Sequence, residues 1–404
     1  MKVLLVNKFF YLKGGAERVY FQEREGLLAG GHQVVEFAMR HSANIYTESE
    51  SFFASYVDYF EPMSFGKKLI TAIRFIHSSE AVRKIRDLVK EQKPDIVHLH
   101  NIYHQLTPSI IPALKQLGVP VVLTVHDGKL ICPSYLMLRH GHQCLLCRER
   151  GIRNVIVKRC QDSMSRNLLL FAEALWHRWK RSYEQVDLFI SPSEFHKKLI
   201  SARVDESKIR VLPNGIEILQ FEPRFDHDGY VLFFGRISPE KGIKTLLEAF
   251  SFLQSKPQLK IVGSGPLENE LQRTYGKTAE FLSYMSGEKL KNIIRGAACV
   301  VVPSECIENC SMTVLESMAL GKPVIGSRVG GIPEQIIDGK TGLLFEPGNS
   351  TELAKKINDL LADNHSLISM GKSARQRVEE KYTILQHMDG LLNIYSSLGA
   401  NPGC

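Results

Sequence analysis

The sequence predicts an α/β protein built from two doubly wound parallel-sheet domains. Three observations predict it. Apolar runs such as Val3-Leu4-Leu5-Val6 and Tyr230-Val231-Leu232-Phe233-Phe234 have the length of strands buried on both faces. Each leads through a glycine-bearing loop into a helical stretch, so strand and helix alternate along the chain. The alternation begins twice, and 404 residues at 44% hydrophobic are enough for two cores. Pro213-Asn214-Gly215 is the turn at the junction. The expected division is 1–216 and 217–380, with a final helix in 381–404 expected to pack back on the first domain.

Charged residues at 23% and the lack of long biased stretches mark an ordered globular chain. No apolar run approaches the roughly 18–20 residues of a membrane span. Met1-Lys2-Val3-Leu4-Leu5-Val6 enters a strand at once and has no cleavage signature, so the expected compartment is the cytoplasm. The net charge of +8 is uneven, because residues 1–216 hold 31 Lys+Arg against 21 Asp+Glu. That bias suits an anionic membrane surface, a nucleic acid or a phosphorylated acceptor, and equally a plain solvated face.

In the first domain, Val3–Val6 runs into a loop holding Gly14-Gly15-Ala16-Glu17-Arg18, followed by a helix to about Ala29. Paired glycines before a helix N-terminus let backbone approach a phosphate, though such pairs also serve plain turns. Gln33–Phe37 is the next strand, residues 46–65 are irregular and aromatic, and Ser79–Glu91 is a basic amphipathic helix. Two further strands deliver polar residues at their carboxyl ends: His100 and Asn101 after one, His126 and Asp127 after the other. Ligands of open parallel sheets bind at those ends.

Cys132, Cys144, Cys147 and Cys160 fall close together, with His140 and His142 nearby. The Cys144-x-x-Cys147 knuckle has zinc-ligand spacing, and the four thiols could form a structural zinc site. A second knuckle is missing, so free or redox-active thiols and disulfides stay open beside it. The stretch Arg166–Glu184, with Trp176 and Trp179 among basic residues, reads as a helix that either packs in the core or lies on anionic lipid.

In the second domain, Gly235-Arg236-Ile237-Ser238-Pro239-Glu240-Lys241-Gly242 sets two cations before a helix, a seat for phosphate. Val262-Gly263-Ser264-Gly265-Pro266 is only a fragment of a dinucleotide fingerprint, and Pro266 argues against NAD. Ser283 and Tyr284 follow a short strand and could cover a nucleobase. Cys299-Val300-Val301-Val302 then leads through a polar loop to a helix starting near Ser311. Glu308 lies in that loop and Glu316 in the helix's second turn, two acids beside an anion seat. Asp226-His227-Asp228 precedes a strand, facing away from a cleft, and is set aside as a metal motif.

Taken together, Gly14–Arg18, Thr124–Asp127, Pro213–Gly215, Gly235–Gly242, Val262–Pro266, Glu308-x7-Glu316 and Gly330-Gly331-Ile332-Pro333-Glu334 resemble the retaining glycosyltransferases of the GT-B fold. The resemblance is to family four (glycosyltransferase group 1), of the bacterial polysaccharide and lipid type, and it spans nearly the whole chain with its two Rossmann-like domains. It implies a UDP- or GDP-sugar donor, a lipid-linked or saccharide acceptor, and no cofactor required for catalysis. By the same resemblance Glu316 binds ribose hydroxyls and Glu308 those of the transferred sugar. Asn309, Cys310, Ser311, Met312 and Thr313 line the diphosphate, and Arg236 and Lys241 neutralise it as it leaves. Gly14 and Gly15 approach the phosphates from the other domain, Gly235 and Gly263 border the donor, and His126 sits near the anomeric carbon. Asn309-Cys310 and Ser317 depart from the family's commoner residues without removing a charge.

A glycosidase would flank the scissile bond with two acids, one of them protonated, and fits poorly. A nucleotide-sugar epimerase or hydrolase of the same fold, needing no acceptor, is the nearer rival. A non-enzymatic binder of anionic polymer would use the basic half, but nucleic acid is not expected because no recognisable module is present.

Overall fold

The computed structural model describes residues 1–59, 64–139 and 142–400; His140 lies outside the described residues. Two six-stranded sheets carry the chain. The first contains β1 (Lys2–Val6), β2 (Gln33–Phe37), β3 (Ile96–Leu99) and β4 (Val121–Thr124). A short antiparallel hairpin of β5 (Leu138–Arg139) and β6 (His142–Gln143) interrupts before β7 (Leu188–Ser191) and β8 (Ile209–Val211) complete it. Its order is β2-β1-β3-β4-β7-β8, parallel throughout. The second contains β9 (Tyr230–Phe234), β10 (Leu259–Val262), β11 (Ala279–Leu282), β12 (Ala297–Val302), β13 (Val324–Ser327) and β14 (Gly342–Phe345). Its order is β11-β10-β9-β12-β13-β14, again parallel. β1, β4, β9 and β12 are buried along nearly their whole lengths, which is why they read as continuous apolar runs.

The helix Ile384–Ser396 lies on the first sheet, where Leu391 and Tyr395 share one buried cluster with Val3, Leu5 and Leu188. It starts at a capping box formed by Thr383 and Gln386. A methyl on Gly26 would come 2.7 Å from the Met388 sulfur, so this helix and the helix Gly15–Ala29 meet almost backbone to side chain. The chain thus passes between the halves twice, and the two passages touch. Ile216 N–H donates to the Tyr382 carbonyl at 2.8 Å, and Ile384 N–H donates to the Ile216 carbonyl at 2.9 Å.

Two elements differ from expectation. The irregular stretch ends in an amphipathic helix, Phe65–Ile76, which sequence reading did not include. The helix expected to reach Glu184 spans Met164–Trp179. Arg181 takes a left-handed φ of 49°, and the Ser182 N–H turns back to the His177 carbonyl at 3.0 Å, closing it early. Asp226 and Asp228 precede β9 and pair with Arg224 at 2.8 and 2.7 Å, a local surface clasp.

Candidate active site in the cleft

Pro303 turns the chain out of β12 into a loop that leads to the helix Met312–Ala319. Ser311 N–H donates to the Gln335 side-chain oxygen at 2.8 Å, and Gln335 donates back to the Ser311 carbonyl at 3.0 Å. The Ser311 amide expected to meet phosphate is therefore engaged in holding the loop. Met312 and Thr313, both partly exposed, keep the first-turn N–H groups that a helix leaves unpaired. Cys310 also faces inward: its carbonyl accepts from Asn214 at 3.0 Å, and burial lifts its thiol to about 12.

Glu308 is 2.6 Å from Lys241 Nζ and accepts from Ser304 Oγ at 2.8 Å. Burial opposes both charges, but each outweighs it for the other, so the carboxyl sits below its usual range and the ammonium above. Lys241 reaches this point because Gly242 follows at φ +66°, where a methyl would lie 1.8 Å from the Pro303 carbonyl oxygen. Gly330 and Gly331 close over the loop from above. Methyls there would fall 2.1 and 1.8 Å from the Glu308 and Asn309 carbonyl oxygens, and Gly331 N–H donates to Glu308 at 2.7 Å. Gly235 and Arg236 are exposed at the end of β9, with Gly263 against Gly235, and Ser283 and Tyr284 are exposed just after β11.

The first half meets this wall directly. Gly14 and Gly15 are exposed at the start of the helix Gly15–Ala29, and Arg18 within it forms an ion pair with Glu316. Asn309 Nδ2 donates to the Val125 carbonyl at 3.2 Å, one residue before His126. The Glu334 carboxylate accepts the Glu194 and Phe195 N–H groups at 2.9 and 2.6 Å, at the start of the helix Glu194–Ile200.

His126 follows β4 with Nε2 2.9 Å from His100 Nδ1; burial, then His100, holds it well below its usual pKa and so neutral. Burial raises Asp127 to about 6, and it accepts the Lys129 N–H at 2.9 Å. Asn101 is tied through its N–H to the Asn7 side chain at 3.1 Å. With Tyr103 and Lys129 these residues line a small cavity. A larger cavity of about 260 Å³ lies behind Lys129 and Tyr183, under the helix Met164–Trp179; it borders the His126 side and not the Glu308 loop.

Cys132 and Cys147 are buried, and Cys132 Sγ lies 3.1 Å from Ser134 Oγ; the neighbouring Cys147 thiol and then Ser134 pull Cys132 below the usual thiol range. Among the described residues the trio of ligand atoms within 4.8 Å of one another is Glu23, His98 and His100; the four cysteines form no such group. The structure places Glu308, Glu316, Lys241, His100 and His126, all singled out from the sequence, around one cleft; Arg18, Glu334, Gln335 and the buried His98 and His387 were not singled out. Arg18 and Glu334 stood inside recognised motifs, so their charge was the available signal.

Two facing parallel-sheet domains with a cation-lined, glycine-walled cleft define the GT-B class of fold. Residues 13–218 match the family model described as Glycosyltransferase Family 4, and residues 216–377 match that of glycosyl transferases group 1; the chain belongs to this glycosyltransferase family. It is 30% identical over 309 residues to a sulfoquinovosyl transferase of Arabidopsis thaliana, covering 71% of this chain and 54% of that protein, little more than half its length. It is 27% identical to an alpha-D-kanosaminyltransferase of Streptomyces kanamyceticus, covering 70% and 72% of the two chains. Among solved structures, sucrose-phosphate synthase from Thermosynechococcus elongatus matches at a TM-score of 0.73 and 20% identity, over 99% of both chains. Anabaena HepE in complex with UDP matches at 0.70 and 16%, over 98% and 100%.

Proposed function

We propose that the protein transfers a sugar from a nucleoside diphosphate sugar to a saccharide or lipid-linked acceptor, with retention at the anomeric carbon and without a metal ion. The observation that carries this reading is the Lys241–Glu308 pair at 2.6 Å beside the unpaired amides of Met312 and Thr313, facing His126 across the cleft. In this reading Arg236, Lys241 and those amides take the charge of the departing diphosphate. Glu308 orients sugar hydroxyls, Glu316 accepts from ribose hydroxyls beside its Arg18 partner, and Ser283 and Tyr284 border the base. The bond from anomeric carbon to phosphate oxygen breaks, the acceptor oxygen bonds that carbon, and the acceptor proton passes to the leaving phosphate. Asn101, His126 and Asp127 border the acceptor side. The solved relative that holds UDP supports UDP as the first donor nucleotide to try. The test is a panel of nucleotide sugars with a saccharide and lipid-extract acceptor pool, read by mass spectrometry. New glycosylated product that needs both Lys241 and Glu308 supports the reading; sugar turnover without acceptor favours the hydrolase or epimerase.

The same reading extends to an anionic membrane. Leu69, Ile70 and Ile73 of the helix Phe65–Ile76 are 60%, 69% and 60% exposed, and the helix packs beside Met164–Trp179, whose Leu175 and Trp179 are also exposed. Lys67, Lys68, Lys180 and Arg181 are exposed on these helices or just beyond them. An apolar face rimmed with cations is the surface that inserts shallowly into anionic lipid. Binding to phosphatidylglycerol vesicles, absent with phosphatidylcholine and lost in Ile70→Glu, is the expected result of co-sedimentation.

A further inference from the structure

His126 is the outer member of a buried chain of polar groups that the transfer reaction, as described so far, does not use. Behind it His100 Nδ1 stands 2.9 Å from His126 Nε2, and His100 Nε2 stands 3.3 Å from Glu23 Oε2. Glu23 is 1% exposed and comes from the middle of the helix Gly15–Ala29. Its other oxygen is 3.0 Å from His387 Nε2, and His387 Nδ1 is 2.7 Å from the Pro213 carbonyl oxygen.

The protons in this chain follow from what each atom can accept. A carbonyl on one side and a carboxylate on the other require His387 to carry both protons, so its charge balances Glu23. A carboxylate only accepts, and Glu23 Oε2 at 3.3 Å, off the line of a hydrogen bond but close enough to attract a proton electrostatically, favours the His100 tautomer with its proton on Nε2. Its Nδ1 is then a lone pair, and the hydrogen bond at 2.9 Å must be donated by His126 Nε2. With that proton fixed, Nδ1 is the acceptor His126 has left to offer.

We propose that Glu23, acting through His100 and balanced by His387, is a positioning residue that locks His126 as an Nε2–H tautomer, a hydrogen-bond acceptor toward a hydroxyl of the bound sugar. This rests on the proposed function, in which His126 borders the cleft where donor sugar and acceptor meet. The Glu23, His98 and His100 ligand atoms lie within 4.8 Å, a spacing that would also admit a cation. His98, however, already has the Thr124 and Tyr395 hydroxyls at 2.7 Å on its two nitrogens, so the proton arrangement accounts for the cluster without one.

The test is nitrogen NMR of histidine-labelled protein without substrate, with a His126→Gln spectrum for assignment. At neutral pH His126 is expected to be protonated at Nε2 alone. Glu23→Gln keeps the side chain's size and removes its charge; the tautomer ratio of His126 is expected to shift roughly tenfold toward Nδ1–H, about 1.4 kcal/mol. His126 protonated at Nδ1 in the parent protein overturns the proposal even if Glu23→Gln does not fold. An unchanged ratio in folded Glu23→Gln overturns it too, as does a stoichiometric metal lost in His98→Ala. Because the readout needs no turnover, failure of the tautomer lock and failure of the transferase reading remain separable.

Discussion

Lys241 and Glu308 each make the other's charge tenable in a loop that burial has partly dried. Lys241→Ala should therefore leave a crowded carboxylate with Ser304 as its remaining close partner, and remove a cation from the leaving phosphate. Loss of one such electrostatic contact lowers kcat by about 10²–10³-fold. The kinetic constants of Lys241→Ala on whichever donor the nucleotide-sugar panel identifies check this, and parental kcat would remove the residue from the site. Protonation sets a second outcome at this scale. Burial holds His98, His177 and His196 near 4, against 6.5 when exposed. The unfolded chain binds more protons between those values, so stability falls as pH drops from 6.5 toward 4, by up to about 3 kcal/mol per histidine. His387 has the opposite sign: its pKa is raised because the Glu23 contact outweighs burial, so its contribution is whole below 6.5 and is lost as pH climbs through the folded value. Asp127, raised to about 6, acts in the same sense as His387, while His126, held well below its usual value, adds to the three rings, so four groups against two predict a lower melting temperature at about pH 5 than at about pH 7. A flat or inverted profile would contradict the neutral burial of these rings.

At the scale of elements, the strands and their carboxyl-end residues were legible because parallel strands must be apolar along their length and turn polar where they stop. Val302 into Pro303 and Thr124 into His126 show it plainly. The helix Phe65–Ile76 was not read from the sequence: it follows directly on an irregular aromatic stretch, and its apolar residues Leu69, Ile70 and Ile73 face outward, so it contributes little to the core that marks a helix in the alternating pattern. Ion pairs across the cleft were also hidden, since Arg18 and Glu316 lie in different halves and no local spacing links them. Gly331 tests the loop they close. A methyl there meets the Asn309 carbonyl oxygen, so Gly331→Ala must displace the Glu308 loop and should cost about 1–3 kcal/mol. Chemical denaturation measures that cost, and the rise in melting temperature given by UDP should shrink with it.

For the whole molecule, the halves are joined by Arg18–Glu316, Asn309–Val125 and the Glu334 contacts to Glu194 and Phe195. Glu334→Ala removes two of these bonds at once while leaving both cores intact. Its expected effect is a larger radius of gyration by solution scattering, reversed by donor nucleotide. An unchanged radius would place the closure energy elsewhere. The packing of the last helix onto the first sheet was expected with the GT-B resemblance and not from any local spacing. The Glu23–His387 contact that this helix makes, 364 residues apart in sequence, was not expected.

The paired passages at Ile216 and Tyr382–Ile384 also limit how the halves can move. A body held by one thread can tumble about every axis. Held by two adjacent threads, hydrogen-bonded to each other and with no room for a methyl between Gly215 and the Ile384 Cα, it has essentially one swing. Opening and closing then amount to a single coordinate, and Arg18, Asn309 and Glu334 gain or lose their partners in the same stroke.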